Sequence, residues 1–103
     1  MDANLAHNIK INTDAVKRLI KEKRDYEEEA ATAAQNLQNS QFDHNSYEYK
    51  QLIELDNEAR KVSSYMEKKL KTFVDKLQQS LNAANGYQDQ PEYIEAMNVL
   101  KEL

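Results

Sequence analysis

Apolar residues recur at helical spacing along three stretches of this chain, and polar residues fill the positions between them. In the first stretch the apolar positions are Ile9, Val16, Leu19 or Ile20, Tyr26, Ala30, Ala33 and Leu37. Intervals of three, four and seven residues place them on one face of a helix. The pattern predicts a helix over about residues 13–40, capped by Thr13 or Asn12. An earlier start stays open, because Leu5 and Ile9 are also in phase.

A turn and a second helix follow. Polar residues typical of turns cluster at Asn39, Asp43, His44 and Asn45. The next residues fit a capping box, with Asn45 as the cap and Glu48 reaching back to it. The apolar stripe that follows is Leu52, Leu55, Ala59, Val62, Met66, Leu70, Phe73, Leu77, Leu81 and Ala84. This pattern predicts a second helix over about residues 46–84.

The third stretch is short. Asn85-Gly86 interrupts the second stripe. Pro91 then predicts a helix start, because proline is tolerated in the first turn, and Asp89 or Gln90 is placed to cap it. The apolar stripe of this helix is Tyr93, Ile94, Met97, Leu100 and Leu103, so we expect a helix over about residues 91–103.

The scarcity of turn residues supports long helices. The 103 residues include one glycine and one proline, and the sheet proteins that use both freely at turns are disfavoured. Three helices with short connections must alternate in direction. We therefore predict an all-α fold, an antiparallel three-helix bundle with two long helices and a short third in a spectrin-like up-down-up order. We expect residues 1–103 to form one domain.

The residues that support chemistry are sparse. The chain lacks cysteine, and its histidines, His7 and His44, have no partner at metal-ligand spacing. One glycine is too few for a phosphate-binding loop. Ser63 and Ser64 have no general base nearby in the sequence. We expect no enzyme activity, no metal and no cofactor, and the consecutive Glu27, Glu28 and Glu29 are interpreted as a solvated helix face.

Charge and hydropathy narrow the partner and the location. The net charge of −4 disfavours nucleic acid, which basic proteins bind. No apolar run approaches the roughly 20 residues of a membrane span, and the N-terminus lacks the pattern of a signal peptide. We therefore expect a cytoplasmic protein without a membrane partner. We also expect a monomer, because three helices can close one apolar core without a second copy.

Basic and acidic residues occupy different parts of the two long helices. The first helix is basic early and acidic in its middle, and the second is acidic early and basic later. An antiparallel hairpin would collect the basic residues at its open end and the acidic residues toward its turn. One interpretation is a solvated surface with local pairs such as Asp14 with Arg18. The other is that the basic end, with Lys68, Lys69 and Lys71, binds an acidic protein surface.

Residues in all three helices follow the pattern of a known family. In the first helix, where the pattern is densest, they are Ile9-Lys10-Ile11-Asn12-Thr13, Val16 through Glu22, Tyr26, Glu27, Glu29 and Ala30. In the second helix they are Tyr47-Glu48, Lys50, Glu54, Glu58 and Arg60. In the third they are Glu92-Tyr93, Glu95-Ala96 and Val99-Leu100. Over most of its length the sequence thus resembles the tubulin-binding cofactor A family.

This resemblance implies a three-helix bundle that captures β-tubulin after its release from the cytosolic chaperonin. It implies that β-tubulin is held until it joins α-tubulin, without nucleotide or metal, and that the protein is cytoplasmic and associated with the microtubule cytoskeleton. The outward residues that we expect to contact the partner are Lys17, Arg18, Lys21, Glu22, Tyr47, Lys50, Glu54, Glu58, Arg60, Glu92, Tyr93 and Glu95.

The second helix departs from the family pattern. The family carries a Met-Ile-Pro step where this chain reads Lys61-Val62-Ser63-Ser64-Tyr65. Proline kinks a helix, so we expect a straighter second helix here.

Two alternatives to the tubulin cofactor stay open. The first is a structural helical hairpin, or coiled-coil module, that binds a different protein. Apolar residues left outside one stripe would favour it. The second is an amphipathic membrane-surface helix, which is disfavoured because the alanines at 30, 31, 33 and 34 are weak anchors.

Overall fold

The computed structural model describes all 103 residues as three α-helices without a strand. Helix α1 is Ala3–Gln38, α2 is Tyr47–Ala83 and α3 is Pro91–Leu100. The all-α fold with three helices is therefore confirmed. None of the helices combines the length and apolar character needed to cross a membrane.

The chain forms two compact units. The first, called here the three-segment unit, contains Met1–Lys21 and Lys68–Leu103. The second, called the hairpin unit, is Glu22–Glu67. That the 103 residues act as a single domain stays a prediction.

Helix α1 begins ten residues earlier than predicted. Asp2 caps it, because its Oδ1 accepts a hydrogen bond of 2.8 Å from the backbone N–H of Asn4. The predicted cap Thr13 is instead buried within the helix, where its hydroxyl donates to the carbonyl of Ile9 at 2.7 Å. The prediction of an Asn12 or Thr13 cap was wrong because nothing between Ala3 and Thr13 interrupts the helix.

The cap of α2 also differs from the prediction by one residue. Ser46 accepts the backbone N–H of Tyr49 at 3.2 Å, which is the N-cap interaction predicted for Asn45. The backbone N–H of Asn45 donates to Asp43 Oδ1 at 2.8 Å, so this residue belongs to a turn centred before the helix. That turn moves the start of α2 one residue toward the C-terminus.

The connection to α3 contains both residues that mark it in the sequence. Gly86 has a φ of 98°, a left-handed conformation that glycine adopts without strain. Pro91 is the first residue of α3, as predicted, and Gln90 is the N-cap but makes no side-chain cap bond. Helix α3 ends at Leu100, three residues before the predicted end, with Lys101 as its C-cap.

The three-segment unit has a conventional apolar core. Each helix contributes to it, with Ile9, Ala15, Val16, Leu19 and Ile20 from α1, Leu70, Leu77 and Leu81 from α2, Ala84 just after α2, and Ala96 and Val99 from α3. The sequence left open whether Leu19 or Ile20 faces the core, and both side chains are buried. Asn12 Nδ2 donates to Ser80 Oγ at 3.4 Å and links α1 to α2 at the edge of this core.

The hairpin unit buries much less apolar surface. Its two helical segments are joined by residues 39–46, and they run antiparallel because this connection is short. Its buried residues are Asp56 and Met66, while Leu52 and Ala59 are half-buried. Leu55 and Val62, predicted in the stripe, are 55% and 37% exposed.

The prediction for Leu55 and Val62 was wrong because the inward face of α2 follows a different phase. The positions that face inward are Leu52, Asp56, Ala59, Ser63 and Met66, at alternating intervals of four and three residues. Two of these five side chains are polar, so an apolar pattern alone misses them.

Asp56 is the charged group that this phase buries. It is 3% exposed, and its Oδ2 accepts from Arg60 Nη2 at 2.9 Å. The other oxygen, Oδ1, is buried without a hydrogen-bond partner. A buried acceptor without a partner loses its hydration and gains nothing in return, so it destabilises the hairpin unit.

Replacement of Leu77, which is fully buried, should destabilise the protein strongly. We expect Leu77→Ala to lower the free energy of unfolding by about 2–5 kcal/mol, because it leaves a cavity in the three-segment core. Urea unfolding monitored by circular dichroism measures this change. The matched control is Leu55→Ala, which removes the same atoms from an exposed position and should cost under about 1 kcal/mol.

Replacement of Asp56 by an apolar residue should have the opposite effect. We expect Asp56→Leu to raise the free energy of unfolding by about 1–2 kcal/mol, because it removes a buried acceptor and adds apolar burial. Arg60 is 66% exposed and keeps its hydration when the carboxylate is lost. Asn57→Leu, at the exposed neighbouring position, is the control for added apolar surface, and equal stabilisation by both variants would contradict this account of Asp56.

Candidate protein-binding surfaces

The twelve predicted contact residues divide equally between the two units. The three-segment unit holds Lys17, Arg18, Lys21, Glu92, Tyr93 and Glu95, and the hairpin unit holds Glu22, Tyr47, Lys50, Glu54, Glu58 and Arg60. Lys17, Arg18 and Lys21 are exposed, and Glu92, Tyr93 and Glu95 are half-buried. Each unit therefore presents its own set of candidate contact residues.

An ion pair brings part of the first group together. Lys17 Nζ on α1 lies 2.8 Å from Glu95 Oε1 on α3, and it donates a hydrogen bond to that oxygen. Both side chains are about half exposed. The pair brings one predicted residue of α1 next to one of α3, a contact that the sequence could not establish.

The same ion pair changes the ionisation of both groups. Its hydrogen bond, with the attraction between the charges, raises the pKa of Lys17 and lowers the pKa of Glu95. The pair therefore stabilises the fold at neutral pH. This contribution is lost as the pH falls through the lowered pKa of Glu95, or as it rises through the raised pKa of Lys17.

Tyr93 lies at a shallow apolar depression of the three-segment unit. This depression has a volume of about 570 Å³, and Leu81, Met97 and Leu100 also line it. Met97 is partly exposed there. Tyr93 thus offers an aromatic ring next to apolar surface, the combination that protein interfaces favour.

The second group is dispersed over the hairpin unit. Tyr47 is 71% exposed at the start of α2, and its hydroxyl accepts a hydrogen bond from Gln51 at 3.0 Å. Lys50 and Glu54 are exposed on α2, and Glu22 is half-buried on α1. Arg60 is paired with Asp56, so it has a structural contact as well as an exposed side chain.

Glu58 lies in a groove between the two helical segments of the hairpin unit. This groove has a volume of about 660 Å³. Leu55 and Val62 line it from α2, and Asp25, Glu28 and Glu29 line it from α1. Apart from Glu58, the sequence prediction did not include these groove residues.

The groove could have been found in the sequence from the set of α2 positions that face inward. An inward face that runs through Asp56 and Ser63 leaves Leu55 and Val62 beside it, where they border the adjacent helix. Glu28 and Glu29, interpreted from the sequence as a solvated face, then lie opposite two exposed apolar side chains. The arrangement offers apolar contact and negative charge.

Comparison with known proteins gives a family for this chain. The family model described as "Tubulin binding cofactor A" matches residues 4–100. The chain is also 34% identical over 93 residues to "Tubulin-specific chaperone A" of Oryctolagus cuniculus, and the match covers 89% of this chain and 86% of that protein. No solved structure matches.

The family match covers all three helices, including the ion-paired residues Lys17 and Glu95 and both sides of the hairpin groove. The resemblance seen in the sequence is therefore confirmed. The chain belongs to the tubulin binding cofactor A family.

Proposed function

We propose that this protein is a tubulin-folding cofactor that binds β-tubulin in the cytoplasm. It would hold β-tubulin folding intermediates after their release from the chaperonin and before they join α-tubulin. The observation that carries this proposal is the family match over residues 4–100, together with the name of the rabbit relative. Holding a partner in this way requires a binding surface and no chemical step.

The three-segment unit supplies the first part of the proposed surface. Lys17 and Glu95 connect the predicted residues of α1 and α3, and Tyr93 adds an aromatic side chain on the same short helix. Positive and negative groups alternate there, so the surface suits a partner with a complementary mixed charge. Charge complementarity of this kind mainly sets specificity and the rate of association.

The hairpin unit supplies further candidate contacts. Glu22, Tyr47, Lys50, Glu54, Glu58 and Arg60 are the residues that we propose in this unit. Tyr47 is the most exposed of the large hydrophobic side chains, and it is available to a partner without rearrangement.

One observation favours a second candidate function, a structural helical-hairpin module with a different protein partner. Leu55 and Val62 lie exposed outside the inward face of α2. Apolar side chains in such positions can pack against a further helix, as in a larger coiled-coil assembly. This candidate predicts association through the hairpin unit without any requirement for tubulin.

The first experiment is binding to tubulin subunits. The purified chain is mixed with unpolymerised tubulin at low salt and separated by size-exclusion chromatography, with detection of α- and β-tubulin in each fraction. We expect a stoichiometric complex that contains β-tubulin and lacks α-tubulin, formed without nucleotide hydrolysis.

The absence of a complex, with the chain shown to be folded by circular dichroism, would overturn the tubulin proposal. A complex that contains both tubulin chains would instead overturn the proposed selectivity for β-tubulin. Light scattering of the chain alone then shows whether the alternative module assembles with itself or requires a different protein partner.

A charge exchange separates binding from stability at the Lys17–Glu95 pair. Lys17→Glu alone breaks the ion pair and should lower the thermal midpoint slightly, because both groups are half exposed and screened by solvent. The double variant Lys17→Glu/Glu95→Lys restores a pair of opposite orientation and should recover the midpoint. If these side chains contact the partner, the double variant should still bind β-tubulin about fivefold more weakly.

The matched control is the exchange Lys23→Glu/Glu27→Lys. This pair also lies on α1, with Lys23 Nζ 2.9 Å from Glu27 Oε1, and neither residue belongs to the proposed surface. If both double variants bind β-tubulin with the affinity of the wild-type chain, the Lys17–Glu95 pair has only a structural role.

A further inference from the structure

The hairpin groove combines two features that sequence analysis did not bring together. Leu55 and Val62 on α2 are exposed at its wall. Asp25, Glu28 and Glu29 on α1, with Glu58 on α2, place four carboxylates around the same groove. No lysine or arginine lines it.

The apolar residues of the groove have the spacing of a helix-binding site. Leu55 and Val62 are seven residues apart on α2, two helical turns, so they are separated by about 10 Å along the helix. A partner helix with apolar residues at positions i, i+3 or i+4, and i+7 presents anchors with the same spacing. An extended segment fits less well, because the backbone groups of both groove helices are used within the helices and leave no edge for strand addition.

The carboxylates determine the charge of the occupant. Asp25, Glu28, Glu29 and Glu58 take part in none of the ion pairs of the structure, in which Lys23 pairs with Glu27 and Arg60 with Asp56. The hairpin unit has five basic and eleven acidic residues, so its net charge is −6. A partner with basic residues beside its apolar stripe would neutralise this rim, and a partner with acidic residues would be repelled.

We propose that the hairpin groove binds a basic amphipathic helix of a partner protein. Its apolar stripe packs on Leu55 and Val62, and its lysine or arginine side chains pair with Asp25, Glu28, Glu29 and Glu58. The groove has this preference because of its own side chains, whether or not the physiological partner is tubulin. A second copy of the chain is disfavoured through this face, because two hairpin units of charge −6 repel each other.

The test uses the full chain and two synthetic peptides of about 18 residues, long enough to form a helix on binding. Both peptides carry the same leucine stripe at positions i, i+4 and i+7, flanked by lysine in one peptide and by glutamate in the other. Binding of each fluorescently labelled peptide is measured by anisotropy at about 50 mM and about 300 mM NaCl, because exposed charge pairs weaken as salt rises. We expect the chain to bind the lysine peptide at least about tenfold more tightly at low salt, with a smaller difference at high salt.

Two pairs of variants locate the binding site. Glu28→Gln/Glu29→Gln should weaken lysine-peptide binding by about fivefold or more, whereas Glu27→Gln/Glu67→Gln makes the same charge change outside the groove and should alter binding less than about twofold. Leu55→Gln should weaken binding by a similar factor. Ile53→Gln, an exposed apolar position that does not line the groove, should not.

Equal binding of the two peptides, or equal losses in the groove variants and their controls, would overturn the proposal. Self-association that Leu55→Gln abolishes, seen by sedimentation of the chain alone, would also overturn it and assign the groove to a second copy. Circular dichroism of each variant confirms that helicity is kept. If the chain forms the β-tubulin complex but does not prefer the lysine peptide, the groove proposal is rejected and the tubulin proposal stands. If the chain prefers the lysine peptide but forms no β-tubulin complex, the tubulin proposal is rejected and the groove proposal stands.

Discussion

Apolar burial by three helix segments is the interaction on which the rest of the structure depends. The core formed around Ile9, Val16, Leu19 and Leu77 combines residues that are far apart in sequence, and the chain has no cysteine to reinforce it with a disulfide. Two polar contacts between helices, from Asn12 to Ser80 and from Lys17 to Glu95, lie at the periphery of that burial and are at least partly exposed, and they are not the full set of polar interactions in the chain. They orient the helices, whereas the apolar side chains supply most of the stabilisation.

The hairpin unit shows what happens where this burial is scarce. Its inward positions on α2 include Asp56 and Ser63, and its α1 segment offers mainly alanines besides Tyr26 and Leu37. Small side chains fill little space, so the apolar groups that remain, Leu55 and Val62, lie at the border of the two helices and stay in contact with solvent. The groove is a direct result of this composition. Because Asp56 is a buried carboxylate, the inward face of α2 is not optimised for the stability of the hairpin unit. Such a face is compatible with binding, because it leaves Leu55 and Val62 exposed to a partner.

The sequence predicted the number and type of the helices because the apolar periodicity is long and interrupted at only two places. Asn85-Gly86 and Pro91 marked the second connection correctly, since the left-handed φ of Gly86 and the fixed φ of Pro91 act locally. The caps were less predictable, because Asp43 recruits Asn45 into a turn and leaves Ser46 to cap α2. The phase of α2 could not be read from apolar residues when two inward positions are polar. The Lys17–Glu95 contact depends on the placement of α3, which periodicity does not determine.

The two units differ in the sequence separation of the residues that contact one another. Contacts of the three-segment unit join residues 68 and 78 positions apart, in the Asn12–Ser80 and Lys17–Glu95 pairs. The turn of the hairpin unit is closed by bonds that span two or three residues, around Asp43 and Ser46. Closing a long loop costs chain entropy before its contacts are made, and a hairpin already formed within that loop shortens the flexible chain that must be closed. We therefore expect early formation of this local turn to lower the entropic barrier to assembly of the better packed core.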